Sequence, residues 1–308
     1  MSKTQNENQC SNLSYLPLVS IITRTYRGRL GFLKEAVESI LHQTYPQIQL
    51  IVVEDGSDTA SDYLSTLRFN KNIDIIYRAL PKRGRCYAGN QGLALANGEL
   101  VNFLDDDDLF LPHHIESLVE HLRNHLDCCG AYSVAWIVPT KVISTDPLSY
   151  KELDKHVFIR KEFSRSRLWD YNYIPIQSVL FKRSLFMMQG GFEESLDCLE
   201  DWDLWMRYTL ESDFAFLDRV TSIFRMPCDE AVISHRQDQH FKYIPIIRER
   251  QKTLINSSSC MPNYKELKKL MPPSKARIFV RNICSQVIRT KKDPIGSFFD
   301  FKEQNAKR

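Results

Sequence analysis

The stretch Glu99-Leu-Val-Asn-Phe-Leu-Asp-Asp-Asp-Asp108 decides how this chain is interpreted. After Glu99 its first part is apolar apart from Asn102, as in a strand buried on both faces, and it runs directly into four aspartates. Clustered carboxylates repel one another, so a cation commonly neutralises them, and their oxygens suit Mg²⁺ or Mn²⁺. A solvated acidic loop that opens a helix would give the same run, because helix N-termini favour negative charge. The position at a strand end favours the metal site.

Strands and helices alternate along the chain around this stretch. The predicted elements are, in order, a strand at 18–22, a helix at 30–41, strands at 50–53 and 73–77, a helix at 87–97, a strand at 99–104, a helix from 112 to about 126, a strand at 177–181 and a helix at 200–209. Asn97-Gly98 predicts a left-handed cap. This order predicts an α/β fold with a mainly parallel sheet flanked by helices, whose strand ends bring 23–26, 54–58 and 105–108 to one crevice.

Composition sets the class of protein. The chain has 308 residues, 43% of them hydrophobic, which is enough for one large α/β domain. Its net charge of +3 argues against a dedicated nucleic-acid binder. Eight cysteines without C-x-x-C spacing indicate reduced thiols in a cytoplasmic protein. The polar segment 1–16 is predicted to be disordered and is not a signal peptide, and no apolar stretch reaches 18 residues.

Six short motifs together resemble the inverting GT-A glycosyltransferases of family 2. They are Val19-Ser-Ile-Ile22, Glu54-Asp-Gly-Ser57, Ala88-Gly-Asn-Gln-Gly92, Leu104-Asp-Asp-Asp-Asp108, Gly190-Gly-Phe192 and Glu200-Asp-Trp-Asp203. The resemblance covers roughly the first two thirds of the chain. It implies a GT-A domain at 17–226, with a nucleotide-sugar half at 17–110 and an acceptor half at 111–226. The chain departs from the family at Glu54, which replaces an Asp, at Gly89, which replaces an Arg, and at Met226, where a His is usual.

The resemblance also implies a role for each matching residue. The donor nucleotide would contact Thr23, Tyr26, Glu54, Asp55, Arg85, Asn90, Asp105 and Asp106. Within this set Asp55 would accept the imide N–H of uracil, Asp105 would reach the ribose, Asp106 is a spacer, and Arg85 or Arg83 would replace the arginine missing at 89. Asp107 would bind Mn²⁺ or Mg²⁺ at the diphosphate, and Asp108 and the displaced His235 are further candidate ligands. Asp201 would be the catalytic base, with Glu200 and Trp202 at the acceptor, although these residues could simply begin an amphipathic helix.

The function implied is transfer of a sugar, with inversion, from a UDP-linked donor to a glycan or lipid-linked acceptor in cell-envelope polysaccharide synthesis. Two alternatives stay open. A degenerate GT-A domain would bind a nucleotide sugar without turnover, and a sugar nucleotidyltransferase would need a Gly-rich, Arg/Lys-containing loop after the first strand.

The segment 227–308 is predicted to be a helical, basic C-terminal extension. Between 264 and 292 it carries nine Lys or Arg residues and one acid. Apolar residues recur there at helical spacing, so a helix could pack on the domain, pair with a partner, or contact the cytoplasmic face of a membrane peripherally through 274–292. The oligomeric state is not indicated.

Overall fold

The computed structural model describes residues 15–67 and 73–257. Almost all of the segment predicted to be disordered, 1–16, lies outside the described residues. The basic extension beyond 257, including the helix proposed at 274–292, lies outside them as well.

Strands and helices alternate through the described residues. The strands are β1 (Val19–Tyr26), β2 (Ile48–Asp55), β3 (Asp74–Leu80), β4 (Leu100–Phe103), β5 (Leu109–Phe110), β6 (Gly130–Thr145), β7 (Leu148–Glu152), β8 (His156–Val157), β9 (Val179–Lys182) and β10 (Phe214–Pro227). The helices are α1 (Leu30–Leu41), α2 (Ser61–Thr66), α3 (Arg85–Leu95), α4 (His114–Arg123), α5 (Arg165–Asp170), α6 (Ser184–Gln189), α7 (Glu200–Tyr208) and α8 (Glu230–Ser257), with a 3₁₀ turn at Ile176–Ser178.

These strands form one sheet in the order β3-β2-β1-β4-β9-β6-β10-β5, and β7 and β8 pair with β6. The pairs β1–β2, β1–β4, β2–β3 and β6–β10 are parallel, whereas β9 runs antiparallel to β4 and β6. The predicted α/β class with a mainly parallel sheet is therefore confirmed. The predicted boundary at 110/111 falls inside this continuous sheet, and the one at 226/227 falls at the end of β10.

The central strands are apolar on both faces because both faces are covered by helices. On β1, Ile21 joins a core with residues of α1 and α4, while its neighbour Ile22 joins a second core with residues of α3 and α7. Successive side chains of a strand point to opposite faces, so one short apolar run supplies both cores.

Two features of the fold differ from the sequence prediction. Gly98 does not adopt the expected left-handed conformation. It is required for another reason, because a Cβ there would lie 2.6 Å from the Leu18 carbonyl oxygen and 2.6 Å from the Ser20 nitrogen. The long pair β6–β10 is also absent from the predicted elements, and β6 continues through Pro139, which lies opposite Met226 of β10.

Candidate functional site

The carboxyl ends of β1 and β4 place a buried arginine against the acidic run. Arg24 donates from Nε and Nη2 to the two carboxylate oxygens of Asp105, both at 2.7 Å. Its side chain is only 6% exposed and its guanidinium lies over the rings of Phe103 and Phe192. Burial alone would raise the pKa of Asp105, but the charge and hydrogen bonds of Arg24 outweigh it and lower that pKa. Asp105 is therefore held as a carboxylate in a fixed orientation.

A second arginine neutralises the next two aspartates. Arg29 Nη2 lies 2.7 Å from Asp106 Oδ1 and 2.9 Å from Asp107 Oδ2, and its guanidinium stacks on the ring of Phe32. Asp106 is buried and also accepts a hydrogen bond from the Thr25 hydroxyl. Burial raises the pKa of Asp106 to about 6. Asp107, with its side chain 28% exposed, is open to a ligand from solvent.

Asp108 is the most deeply buried member of the run. Its Oδ1 accepts the backbone N–H of Arg225 on β10 at 2.9 Å. Burial, followed by the charges of Asp107 and Asp105, raises its pKa well above the ordinary value. A carboxyl group in this state gains most from a neighbouring cation.

The end of β2 carries two carboxylates with different surroundings. Glu54 is fully buried and its oxygens accept hydrogen bonds from Ser57, from the backbone N–H groups of Thr59 and Ala60, and from the Tyr77 hydroxyl. These bonds outweigh burial and lower the pKa of Glu54.

Asp55 is partly exposed instead. Its two oxygens accept the backbone N–H groups of Arg83 and Gly84 at 2.7 and 3.0 Å, which fixes the loop that leads into α3. Each oxygen keeps a lone pair for a ligand.

Asn90 of α3 fixes the segment that follows α6. Its Oδ1 accepts the Phe192 N–H at 2.7 Å, and its Nδ2 donates to the Phe192 carbonyl at 3.0 Å. The ring of Phe192 then fills the space beside Gly89, where a Cβ would lie 2.6 Å from a ring carbon and 3.5 Å from Arg24 Cδ. This geometry explains why the chain has glycine at 89. Arg24 also borders Gly89, and its guanidinium lies over the ring of Phe192.

The candidate base lies at the start of α7, close to the acidic run. Glu200 is 5% exposed, and its Oε1 lies 3.1 Å from Arg85 Nη1 and 3.5 Å from Arg24 Nη1. Through Arg24 the start of α7 is thus connected to Asp105. Asp201 accepts a hydrogen bond from Asn172 Nδ2 at 2.8 Å.

Burial, reinforced by the charge of Glu200, raises the pKa of Asp201 to about 7. Such a pKa suits a group that must take up a proton near neutral pH. The residue before this pair, Leu199, has φ 64, a conformation that is unfavourable for a bulky side chain. Backbone strain of this kind is commonly found at functional sites.

The other predicted residues are placed differently. Tyr26 is 56% exposed beside Arg29, whereas Thr23 is fully buried. Trp202 is also buried, and its Nε1 donates to the Leu168 carbonyl at 2.5 Å, so its indole packs inside the domain. These assignments to nucleoside and acceptor stay predictions.

Of the two histidines on α8, His235 is exposed and His240 is partly buried. Burial lowers the pKa of His240, and the nearby charges of Glu200 and Arg85 also act on it. His235 as a metal ligand stays a prediction.

Sequence reasoning missed several residues that contact the predicted carboxylates, among them Arg24, Arg29 and Asn172. The parallel pairing of β1 with β4 could have identified Arg24. Ile22 lies opposite Phe103, and Arg24 and Asp105 each follow two residues later in the chain. No comparable signal marks Asn172, which comes from an irregular segment.

Neither a compact metal cluster nor a membrane-spanning helix is found in the parts of the chain that the structure describes. At 15–67 and 73–257, His, Cys, Asp and Glu do not form a group of three or more able to hold a metal ion. Within the same ranges no helix is both long and apolar enough to cross a membrane.

Comparison with known proteins identifies the family. Residues 20–186, more than half of the chain, match the sequence model of Glycosyl transferase family 2. An uncharacterized glycosyltransferase of Rickettsia typhi is 31% identical over 217 residues, which are 66% of this chain and 62% of that protein. The chain thus spans under two thirds of that relative's length. A putative colanic acid biosynthesis glycosyl transferase of Escherichia coli K12 is 26% identical over 198 residues, 63% of this chain and 67% of that protein.

Solved structures share the fold. Staphylococcus aureus TarS 1–349 in complex with UDP-GlcNAc superposes with a TM-score of 0.54 at 18% identity, covering 89% of each chain. The mannosyltransferase PcManGT of Pyrobaculum calidifontis, in complex with GDP-Man and Mn²⁺, gives 0.52 at 16% identity, with 90% of this chain and 86% of that chain covered. The sheet with its flanking helices is the GT-A fold.

Proposed function

Because the chain belongs to glycosyl transferase family 2, we propose that it transfers a sugar, with inversion, from a UDP-linked donor to a glycan acceptor. One observation carries the proposal: Arg24 contacts both Asp105 of the acidic run and Glu200, the residue before Asp201 at the start of α7. In this proposal the carboxylates on the donor side and on the acceptor side share contacts with one buried arginine.

The different surroundings of Asp201 and Asp105 suit them to different roles in sugar transfer. Inverting transfer needs a base that removes the proton of the acceptor hydroxyl as its oxygen attacks the anomeric carbon, on the face opposite the leaving diphosphate. Asp201 supplies this base, because its pKa of about 7 lets it exist as a carboxylate and still hold a proton. Asp105, kept ionised by Arg24, supplies an acceptor for a ribose hydroxyl.

A divalent cation fits the carboxylates that remain. Mg²⁺ and Mn²⁺ commonly bind through one or two protein carboxylates and complete their shell with substrate phosphates. Asp107 is exposed enough to contact such an ion, and the pKa of Asp108 is raised by burial and then by the charges of Asp107 and Asp105. When bound there, the ion would stabilise the charge that develops on the leaving diphosphate.

The donor nucleoside belongs, in this proposal, to the end of β2. Asp55 and the exposed ring of Tyr26 lie opposite each other in the β1–β2 register. A carboxylate accepts the imide N–H of uracil, whereas cytosine offers an acceptor at that position. The complexes of similar structures include both a UDP-sugar and a GDP-sugar, so the assay must compare the two.

The acceptor is proposed at a coarser level. The Escherichia coli relative is named for colanic acid biosynthesis, which supports a glycan of the cell envelope. A lipid-linked form of that glycan, a cytoplasmic location and a peripheral membrane contact stay predictions. Membership of a glycosyl transferase family removes support from the nucleotidyltransferase alternative.

The test combines binding and turnover. Donor hydrolysis with a panel of UDP- and GDP-sugars is measured with Mn²⁺, and nucleotide binding is followed by titration calorimetry. We expect Asp107→Asn and Asp201→Asn each to lower turnover by about 100-fold or more, with nucleotide binding retained in Asp201→Asn and the exposed Asp62→Asn as an unaffected control. Loss of both binding and turnover in Asp201→Asn would mean a structural role. Binding without turnover of any donor would support the non-catalytic alternative.

A further inference from the structure

We propose that Asn172 is a positioning residue that holds the carboxylate of Asp201 in the orientation needed to take the acceptor proton. This inference rests on the proposed function and extends it to a residue in the segment between α5 and the 3₁₀ turn. The direct observation is the hydrogen bond of 2.8 Å from Asn172 Nδ2 to Asp201 Oδ2.

The orientation of the Asn172 amide is fixed by its two partners. Its oxygen accepts the backbone N–H of Ile174 at 3.2 Å, and its nitrogen faces Asp201, which in its ionised form can only accept. A flipped amide would place oxygen against oxygen and lose both bonds. The side chain therefore has one satisfied orientation, in which it donates to Asp201.

The backbone that carries Asn172 is anchored from α8. Arg248 donates from Nη1 to the Trp169 carbonyl at 2.6 Å and from Nη2 to the Asp170 carbonyl at 2.5 Å. Gln251 donates to the Trp169 carbonyl at 2.8 Å. Because α8 holds the last carbonyls of α5, the segment that follows has little freedom to move away from α7.

Asp201 is held from its own side as well. Its Oδ1 accepts the Trp202 N–H at 2.8 Å, while the Trp202 indole is anchored to the Leu168 carbonyl of α5. The two carboxylate oxygens thus face different elements, one the start of α7 and the other the segment after α5. Each oxygen keeps one lone pair, so the carboxylate is oriented and still able to accept a proton.

An amide suits this position because it donates a hydrogen bond to Asp201 without placing a further charge beside Glu200 and Asp201. The charged or titratable groups that interact with Asp201 are Glu200 of the same helix, Arg24 of β1 and the Cys198 thiol. Arg85 of α3 and His240 of α8 interact with Glu200. The Asn172 amide stabilises the charged form of Asp201 without adding a charge. A carboxylate at 172 would oppose that charged form directly.

The experiment compares Asn172→Ala and the nearly isosteric Asn172→Asp with wild type and with Asn124→Ala, an exposed residue at the end of α4. Steady-state transfer is measured across pH 5–9. We expect Asn172→Ala to lower kcat by up to about 100-fold, with little change in the donor KM. The acid limb of the kcat profile should move to higher pH, because a lost hydrogen bond to the charged form raises the pKa of Asp201. Asn172→Asp should move that limb further.

A purely structural residue would lower the melting temperature and kcat without moving the acid limb, and that result would overturn the proposal. A second measurement does not depend on turnover. The carboxyl ¹³C signal of Asp201, identified by its loss in Asp201→Asn, is titrated in wild type and in Asn172→Ala. An unchanged pKa of Asp201 would refute the role of Asn172, whereas a raised pKa in a chain without transferase activity would refute only the proposed function.

Discussion

Replacement of Arg24 by Met gives the sharpest test of how the site is held together. Methionine keeps the apolar contact with Phe103 and Phe192 but removes the charge and both hydrogen bonds to Asp105. Asp105, with its side chain 25% exposed, and Glu200, 5% exposed, then lose a cationic neighbour. Removing one partner of a buried ion pair costs about 3–5 kcal/mol. The remaining Glu200–Arg85 contact places the expected loss near the lower end, about 3 kcal/mol.

The assay is urea unfolding at pH 7, and the chain supplies a matched control. Arg83 lies 3.2 Å from Glu194 in a pair whose side chains are 55% and 43% exposed. Arg83→Met should therefore cost less than about 1 kcal/mol. The double variant of Arg24→Met with Asp105→Asn should be more stable than the sum of its single changes by about 1 kcal/mol or more, because no unpaired charge remains. Equal losses in Arg24→Met and Arg83→Met would refute the reasoning.

The stability lost in Arg24→Met should depend on pH in a defined direction. The folded-state pKa of Asp105 is lowered, so its ion pair stabilises the wild-type fold above the unfolded pKa of about 3.9 and is lost as the pH falls through the folded value. In Arg24→Met the buried carboxyl lacks this partner and protonates more readily. The difference in unfolding free energy between the two proteins should therefore shrink as the pH is lowered from 7 to 4.

Two further predictions concern the metal and the glycine at 89. Arg29→Gln removes the charge that now pairs with Asp107, so the affinity for Mn²⁺ without nucleotide should rise about five- to tenfold, on the order of 1 kcal/mol. Calorimetry measures this affinity, with the exposed Arg27→Gln as the control. Equal affinities in both variants would contradict the prediction. Gly89→Ala should cost about 1–3 kcal/mol in urea unfolding because its Cβ would meet the Phe192 ring at 2.6 Å, which outweighs the helix propensity of alanine. Phe192→Leu should relieve much of that cost, and a stabilised Gly89→Ala would show that the ring moves freely.

The sequence by itself determined the class of fold and the edge at which the site lies. Apolar runs for β1, β2 and β4 and the 3.6-residue pattern of α1 are local properties, readable because period and burial repeat over a few residues. The acidic run stood out as a cluster of carboxylates at a strand end, and Glu200-Asp201 stood out through the resemblance to family 2. The strand pair β6–β10 was not predicted, because a strand buried on both faces lacks the alternation of polar and apolar residues, and because proline, as at 139, is unusual inside a strand.

Only the tertiary structure decided which groups neutralise and orient these carboxylates. Arg24 reaches Asp105 from 81 positions away, Arg29 reaches Asp106 from 77, and Asn172 reaches Asp201 from 29. Such pairs leave no periodic trace in the chain, because their contact follows from strand register and helix packing and not from spacing. The sequence thus predicted which carboxylates form the proposed site, whereas the packing of β1, α5 and α7 determined which groups surround and orient them.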